Sequence, residues 1–263
     1  MEGSIVMVSI IRIIVVSMFI LTLLSAISGL WIYHSYISPL RGLAEKPSIG
    51  DILDKVTKIS YTMTFNGEIY IVEVSNNPTV RSGFIRLTYS NGSIVEYTFN
   101  YTKNLVLIRI LKPQSNTTLL NPREYGEAFA TNIRFIQDQG GNVIGVEPFP
   151  GIAPLYALHY IGNATLIDWE SLYNPRAQYR PQNIQYLFTT INLGGETYRG
   201  VEILIQPLYN ILTQTLKWYS VEVHAKIANI RGIVTAGELT INIVLGGEIK
   251  TIEIKLENIE FKS

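Results

Sequence analysis

Three histidines, His34, His159 and His224, are the residues of this chain best suited to acid–base chemistry near neutral pH. They are scattered along the sequence, which contains no Walker loop and no GxGxxG, GxSxG or HExxH motif. His34 follows a long apolar run and is expected at a membrane interface. His224 alternates with Glu222 and Lys226 on what we interpret as the solvent face of a strand. His159 stands among tyrosines, where a hydrogen-bonded packing role is commoner than catalysis.

The carboxylates and arginines of the middle third offer a second kind of site. Asp168 and Glu170 flank Trp169, but they lack the graded ligand spacing of a calcium loop, so we interpret them as the acidic start of a helix. Arg176 and Arg180 could hold an anion such as a lipid headgroup, or could cap a loop. The chain has no cysteine, which excludes thiolate nucleophiles, iron–sulfur clusters and Cys-zinc sites. We predict no catalytic residue, metal ion or cofactor, and the sequence gives no reason to expect an enzyme.

The passage from Phe149 to Tyr160 is rich in proline and aromatic residues and is too apolar to be a solvated loop. It must cover one face of a sheet, either as a filled core, which we favour, or as the wall of an apolar pocket. A pocket would make this passage and the following arginines a ligand site. The candidate ligand-binding residues are Phe149, Leu155, Tyr156, Leu158, His159, Arg176 and Arg180.

The stretch from Ile13 to Tyr33 carries no charge over 21 residues. A helix rises ~1.5 Å per residue, so about 20 apolar residues cross a hydrocarbon core of roughly 30 Å. Arg12 closes one end of the stretch, and Trp31 and Tyr36 occupy the position of an interfacial aromatic belt at the other. We therefore predict a short tail over residues 1–12 and a transmembrane helix over residues 13–36 that contacts the lipid bilayer.

Three fates of this helix remain open. An uncleaved anchor is favoured, because the apolar run is longer than a secretory signal core and continues past the only small-residue cleavage site, Ala26-Ile27-Ser28. Cleavage there would release a soluble protein. Removal of Met1-Glu2-Gly3 would instead leave a helix starting at Ser4 that packs into a filament, in the manner of archaeal prepilins. Against this, Glu2 stands where those leaders carry Lys or Arg, and Arg12 would lie inside the filament core.

The charges of the chain are balanced, with 21 basic and 21 acidic residues and no run of like charge. Nucleic acid is therefore not a predicted partner. Four N-glycosylation sequons fit a location outside the cytoplasm, although such short motifs also arise by chance. We predict a single-pass protein of the cell membrane with most of its chain extracytoplasmic. The sequons begin at Asn91, Asn100, Asn116 and Asn163.

The rest of the chain has the pattern of antiparallel β-structure. Residues 37–47 form a proline-bounded linker that is expected to hold the domain off the bilayer, and residues 48–263 form one β-rich domain. Asn66-Gly67 and Asn91-Gly92 predict tight hairpin turns. The phase of the apolar residues changes in the last strand, which predicts a bulge near Asn258. The predicted fold is mainly β (α+β): a transmembrane helix, then a large antiparallel sheet as a half-barrel or sandwich, covered by a few short helices.

Three short helices are predicted within this domain. Ser48 is an N-cap that opens an amphipathic helix over residues 48–58. Asn121-Pro122 opens a second helix that extends through about Gln137. A third is expected at Leu166–Tyr173.

The order of these elements resembles the lipoprotein-carrier family of LolA- and LppX-like proteins. The resembling segments are the short helix with Ile52, Leu53 and Val56, a basic strand start at Pro78-Thr79-Val80-Arg81, and a turn-bounded hairpin at Tyr89-Ser90-Asn91-Gly92. The resemblance implies a half-open barrel whose apolar cavity binds acyl chains. The chain departs from the family in having no lipobox cysteine, so a transmembrane anchor would replace the lipid.

Two functions follow as hypotheses. The first is a non-enzymatic, membrane-anchored binding module for a lipid or another hydrophobic ligand. The second is a structural surface protein, pilin-like or envelope-anchoring, whose β-domain engages copies of itself or a surface layer. A cavity lined by Phe149, Leu155, Tyr156 and Leu158 favours the first hypothesis, and assembly into filaments favours the second.

Overall fold

The computed structural model describes residues 2–37, 48–112, 120–141, 143–157, 183–206, 219–245 and 247–262. Helix α1 (Glu2–Ile32) continues into a π-helical turn, Tyr33–Ile37. The segment Ile13–Tyr36 is long and apolar enough to cross a membrane and is not buried within the protein, although a signal sequence has the same properties. Helix α1 begins at Glu2, so residues 2–12 are helical.

Within the described residues, ten strands form one open antiparallel sheet in the order β5-β4-β3-β2-β1-β12-β11-β10-β9-β8. The sheet consists of two meanders that meet at the pairing of β1 with β12. Strands β6 (Ile133–Gln137) and β7 (Val143–Pro148) form a separate hairpin. The large antiparallel sheet predicted from the sequence is confirmed, and it is not closed. Its strands are β1 (Val56–Phe65), β2 (Glu68–Asn77), β3 (Ser82–Tyr89), β4 (Ile94–Tyr101), β5 (Val106–Lys112), β8 (Asn183–Leu193), β9 (Glu196–Gln206), β10 (Tyr219–Ile230), β11 (Ile233–Leu245) and β12 (Glu248–Phe261).

The two faces of the sheet differ in polarity, because successive side chains of a strand point to opposite sides. We call the face that carries Tyr61 the inner face, and the opposite one the outer face. On the outer face Arg86 forms ion pairs with Glu73 and Glu96. The inner face is apolar across the sheet, and the hydrophobic core lies on this face. Its buried residues include Tyr61, Met63, Val72, Val74, Ile85, Leu87, Phe99, Ile108, Val201, Ile203, Val223, Ala225, Ile227, Leu239, Ile241, Ile243, Ile252, Ile254 and Leu256.

Short elements cover the inner face, and two of them are shorter than predicted. Helix α2 spans Ile49–Leu53, capped by the Ser48 hydroxyl, and ends early because β1 already starts at Val56. Helix α3 (Pro122–Thr131) ends at Asn132, which adopts a left-handed φ of 59°. The predicted extension to Gln137 is wrong, because those residues form β6. A 3₁₀ turn, Ala153–Leu155, completes the described cover, and the predicted helix at Leu166–Tyr173 lies outside the described residues.

The predicted bulge near Asn258 is confirmed. Ser60 of β1 pairs with Asn258, whereas the next residue, Tyr61, pairs with Leu256, so one extra residue of β12 is inserted between them. The insertion brings Ile259 onto the same face as Leu256. Because of this bulge, the apolar residues before and after Asn258 lie on the same face of the sheet although their spacing in the sequence changes phase.

The β8–β9 hairpin folds back over the neighbouring strands. Two strands separate β8 from β11 in the sheet, yet a Cβ added to Gly237 of β11 would lie 2.4 Å from the Cγ2 of Ile191 in β8. Gly200 of β9 approaches β10 just as closely, since a Cβ there would lie 2.2 Å from a backbone oxygen. Ile191 points into this contact, while Phe188 and Arg199 lie on the opposite side of the hairpin, by the alternation of the paired strands.

Candidate functional site

A buried polar network fastens the cover to the inner face of the sheet. The Tyr61 hydroxyl donates to the Gly151 carbonyl oxygen at 3.0 Å and accepts from the Gly151 N–H at 2.9 Å. The Asn132 side chain donates to the same hydroxyl, and its Oδ1 accepts from the Ala153 N–H at 2.8 Å. The Asn132 carbonyl oxygen accepts from the Phe149 N–H. The network therefore joins three segments at one point: strand β1, the end of α3 and residues 149–153.

Burial keeps the phenols of this region neutral. It raises the pKa of Tyr61 well above its ordinary value, and the hydrogen bonds from Gly151 and Asn132 only partly oppose this. Burial, with nearby Tyr89 and Tyr125, raises the pKa of Tyr97 to about 12. At physiological pH the Tyr61 hydroxyl thus retains its proton and acts as both donor and acceptor.

Replacing Tyr61 with phenylalanine should destabilise the domain. The change leaves the Gly151 N–H and the Asn132 amide without their buried acceptor, at a cost of about 1–3 kcal/mol in the free energy of unfolding. Chemical denaturation of the purified protein measures this loss. Tyr70→Phe is the matched control, because the Tyr70 hydroxyl donates to Glu68, an exposed carboxylate that water can satisfy instead. Equal stability of the two variants would show that the network does not hold the cover.

The structure brings three of the predicted ligand residues into the cover. Phe149 is buried, and its ring centroid lies 5.6 Å from that of Tyr97 and 5.5 Å from that of Tyr125. Leu155 is also buried in the core, so at these two positions the passage forms a filled core. Their role in ligand binding stays a prediction. Leu158, His159, Arg176 and Arg180 lie outside the described residues, as do the sequon residues Asn116 and Asn163.

Tyr156 lines an open cleft of about 320 Å³ between α3 and the start of β5, which we call the α3 cleft. This volume lies at the lower end of the range typical of small-molecule sites. Val106 extends the cleft from the inner face of the sheet, and Arg123 and Glu127 contribute one charge of each sign. The lining residues are Ile49, Asn104, Leu105, Val106, Pro122, Arg123, Gly126, Glu127, Ala130, Thr131 and Tyr156.

The remaining candidate groups lie on the surface. His224 Nε2 lies 2.6 Å from a carboxylate oxygen of Glu202 on the outer face, in agreement with the solvent-facing strand expected for it. Asn91 is exposed in the β3–β4 turn, where its side chain accepts from the Ser93 N–H, and Asn100 is exposed on β4. Among the described residues, no three His, Asp or Glu side chains form a metal site.

The end of the N-terminal helix contacts the β8–β9 hairpin. The Tyr36 and Phe188 ring centroids are 4.8 Å apart. The Arg199 guanidinium lies 5.2 Å from the centre of the Trp31 ring and donates to the Ser35 hydroxyl at 3.0 Å. Apart from Ile37, the linker predicted over residues 37–47 lies outside the described residues, and these contacts show only that the hairpin lies against the end of the helix.

No family model and no curated protein matches the chain. One solved structure that aligns with it is an outer membrane lipoprotein-sorting protein domain from Vibrio parahaemolyticus. The alignment covers 78% of this chain and 85% of that chain, at 8% identity and a TM-score of 0.26. The faint resemblance to lipoprotein carriers is confirmed as a resemblance. At this TM-score the resemblance carries no argument about the structure or the activity of this chain.

Sequence reasoning missed Tyr61 and Asn132, which organise the cover. Tyr61 fits the apolar alternation of its strand, which gives no sign of hydrogen bonds to residue 151, far away in sequence. Asn132 did carry a signal, because asparagine often takes the left-handed conformation at the end of a helix.

Proposed function

We propose that the chain is a single-pass, membrane-anchored protein whose extracytoplasmic β-domain binds an acyl chain or another apolar ligand without acting as an enzyme. The α3 cleft carries this proposal. It extends from the inner face at Val106 to Tyr156, so a ligand there would contact apolar surface, with Arg123 placed to meet an anionic end group.

A pair of substitutions at Gly126 tests ligand binding in the α3 cleft. A Cβ at this position would lie 3.5 Å from the nearest atom, the Val106 carbonyl oxygen, so a Cβ can be added without a clash. Gly126→Leu should fill part of the cleft. Gly126→Ala should leave it open and slightly stabilise α3, because alanine has the better helix propensity.

The probe is a photoactivatable fatty acid, with adducts located by peptide mass spectrometry on the full chain in nanodiscs. We expect adducts on residues 105–106 and 120–157, at about a tenth of the wild-type level in Gly126→Leu and at the wild-type level in Gly126→Ala. Labelling of α1 by the same probe reports the membrane span independently. Labelling confined to α1 would reject the cleft as a ligand site and favour the structural surface protein.

The membrane anchor itself is tested by the intact mass of the mature chain. An anchored protein retains Met1, whereas a chain that starts at Gly29 is secreted and one that starts at Ser4 is filament-forming. Exposed Asn91 and Asn100 are accessible to glycosylation and so support an external location.

A further inference from the structure

We infer that the exposed group formed by Phe188, Thr190 and Arg199 on the β8–β9 hairpin rests on the surface of the chain's own membrane. The inference rests on the membrane span of the proposed function. It concerns a different surface from the α3 cleft, and its partner is the lipid bilayer at headgroup depth.

The depth of the hairpin follows from its contacts with the helix. At ~1.5 Å per residue, about 20 residues from Ile13 cross the hydrocarbon core, so the span ends near Trp31. Arg199 contacts the Trp31 ring, and Phe188 contacts Tyr36, one to two helical turns further on. Both hairpin residues therefore lie at the depth of the lipid headgroups, beside the helix.

The chemistry of this side suits the interface. Phe188 remains 52% exposed despite its contact with Tyr36, and Arg199 pairs across the hairpin with exposed Thr190. Aromatic rings and arginines whose apolar stems lie along lipid are typical of the interfacial layer. On the opposite side of the hairpin Ile191 packs against Gly237 of β11, whereas Val201, the next residue of β9 on the side of Arg199, is buried in the core. Phe188, Thr190 and Arg199 are therefore the exposed part of their side of the hairpin, next to the end of α1.

The position of β8 in the sheet also leaves backbone groups unpaired by a described strand at this end of the molecule. Within the described strands β8 is at an edge of the ten-stranded sheet and pairs with β9 alone. An open edge of 11 residues invites pairing with another chain. Lipid headgroups against this edge would hydrogen-bond with its backbone groups and hinder the approach of a second copy.

The test uses single cysteines, which the absence of native cysteine makes specific. Thr190→Cys in the full chain carries an environment-sensitive fluorophore in phosphatidylcholine vesicles that contain a doxyl-labelled lipid. Ile71→Cys is the matched control, because Ile71 is a 54% exposed strand residue on β2, six strands from β8. Leu21→Cys, in the middle of the span, reports whether α1 lies in the bilayer.

We expect the lipid quencher to reduce the Thr190→Cys signal about twice as strongly as the Ile71→Cys signal, with blue-shifted emission. Adding Arg199→Ala should move the Thr190 probe toward the values of the Ile71 probe. If the Leu21 probe is quenched while the Thr190 probe behaves as the Ile71 probe does, docking is rejected and the anchor stands. An unquenched Leu21 probe rejects the anchor, and a blue-shifted but unquenched Thr190 probe indicates a protein partner and also rejects docking.

Discussion

Gly151→Ala is expected to lower the free energy of unfolding by about 3 kcal/mol or more. A Cβ at this position would lie 1.9 Å from the Phe129 carbonyl oxygen and 2.6 Å from its carbonyl carbon, so the backbone of the cover has to move. That movement would weaken the hydrogen bond from the Ile152 N–H to the Phe129 carbonyl oxygen and both hydrogen bonds between Gly151 and the Tyr61 hydroxyl. In thermal unfolding the midpoint should fall by roughly 10 °C.

Gly126→Ala is the matched control for this prediction, because it makes the same chemical change in the same cover without a clash. It should leave the stability unchanged or raise it by up to about 1 kcal/mol. If the free energy of unfolding falls in Gly151→Ala but rises in Gly126→Ala, the loss is explained by the close approach of residue 151 to α3. Equal effects would contradict that explanation.

Placing two arginines in the middle of the apolar helix, Leu21→Arg with Leu24→Arg, should remove the protein from the membrane fraction. Each arginine at the centre of a span opposes insertion by about 3 kcal/mol, so together they cost about 6 kcal/mol. Both native leucines are exposed, and no part of the chain that the structure describes covers them to stabilise a new charge. Membrane flotation after an alkaline wash measures the loss.

The control for the arginine pair is Leu21→Phe with Leu24→Phe, which keeps the segment apolar and should float as the wild-type protein does. Retention of the arginine variant in the washed membranes would mean that α1 is not the principal anchor. In that case the membrane-facing side of β8–β9 would need to be tested for retention by itself.

The sequence predicts the sheet well, because its signals are local. Alternation and the Asn-Gly turns define the first meander, and the change of phase near Asn258 reports a bulge directly. The second meander was predicted less completely. The tight turn at Arg231-Gly232, where both residues have positive φ, was missed because arginine is an unusual residue in that conformation.

The cover is predicted less well, because its structure depends on contacts between residues distant in sequence. Helix α3 carried an N-cap and a helical pattern, but its end depends on Asn132, which is held by strand β1 and by Ala153. The α3 cleft arises from the packing of α3 against β5 and Tyr156, and no spacing in the sequence specifies such a gap. The contact between the helix end and β8–β9 likewise joins Ser35 to Arg199, 164 residues apart.

The pairing of β1 with β12 sets the order in which the domain can be completed during synthesis. Thr57 and Glu260 bond across this junction although 203 residues separate them. Until β12 is translated, β1 has an unpaired edge beside an already formed meander, and the closure of so long a loop is slow. A helix inserted in the bilayer would hold this unpaired edge of β1 at the membrane surface. There, collisions with other nascent copies are restricted to two dimensions.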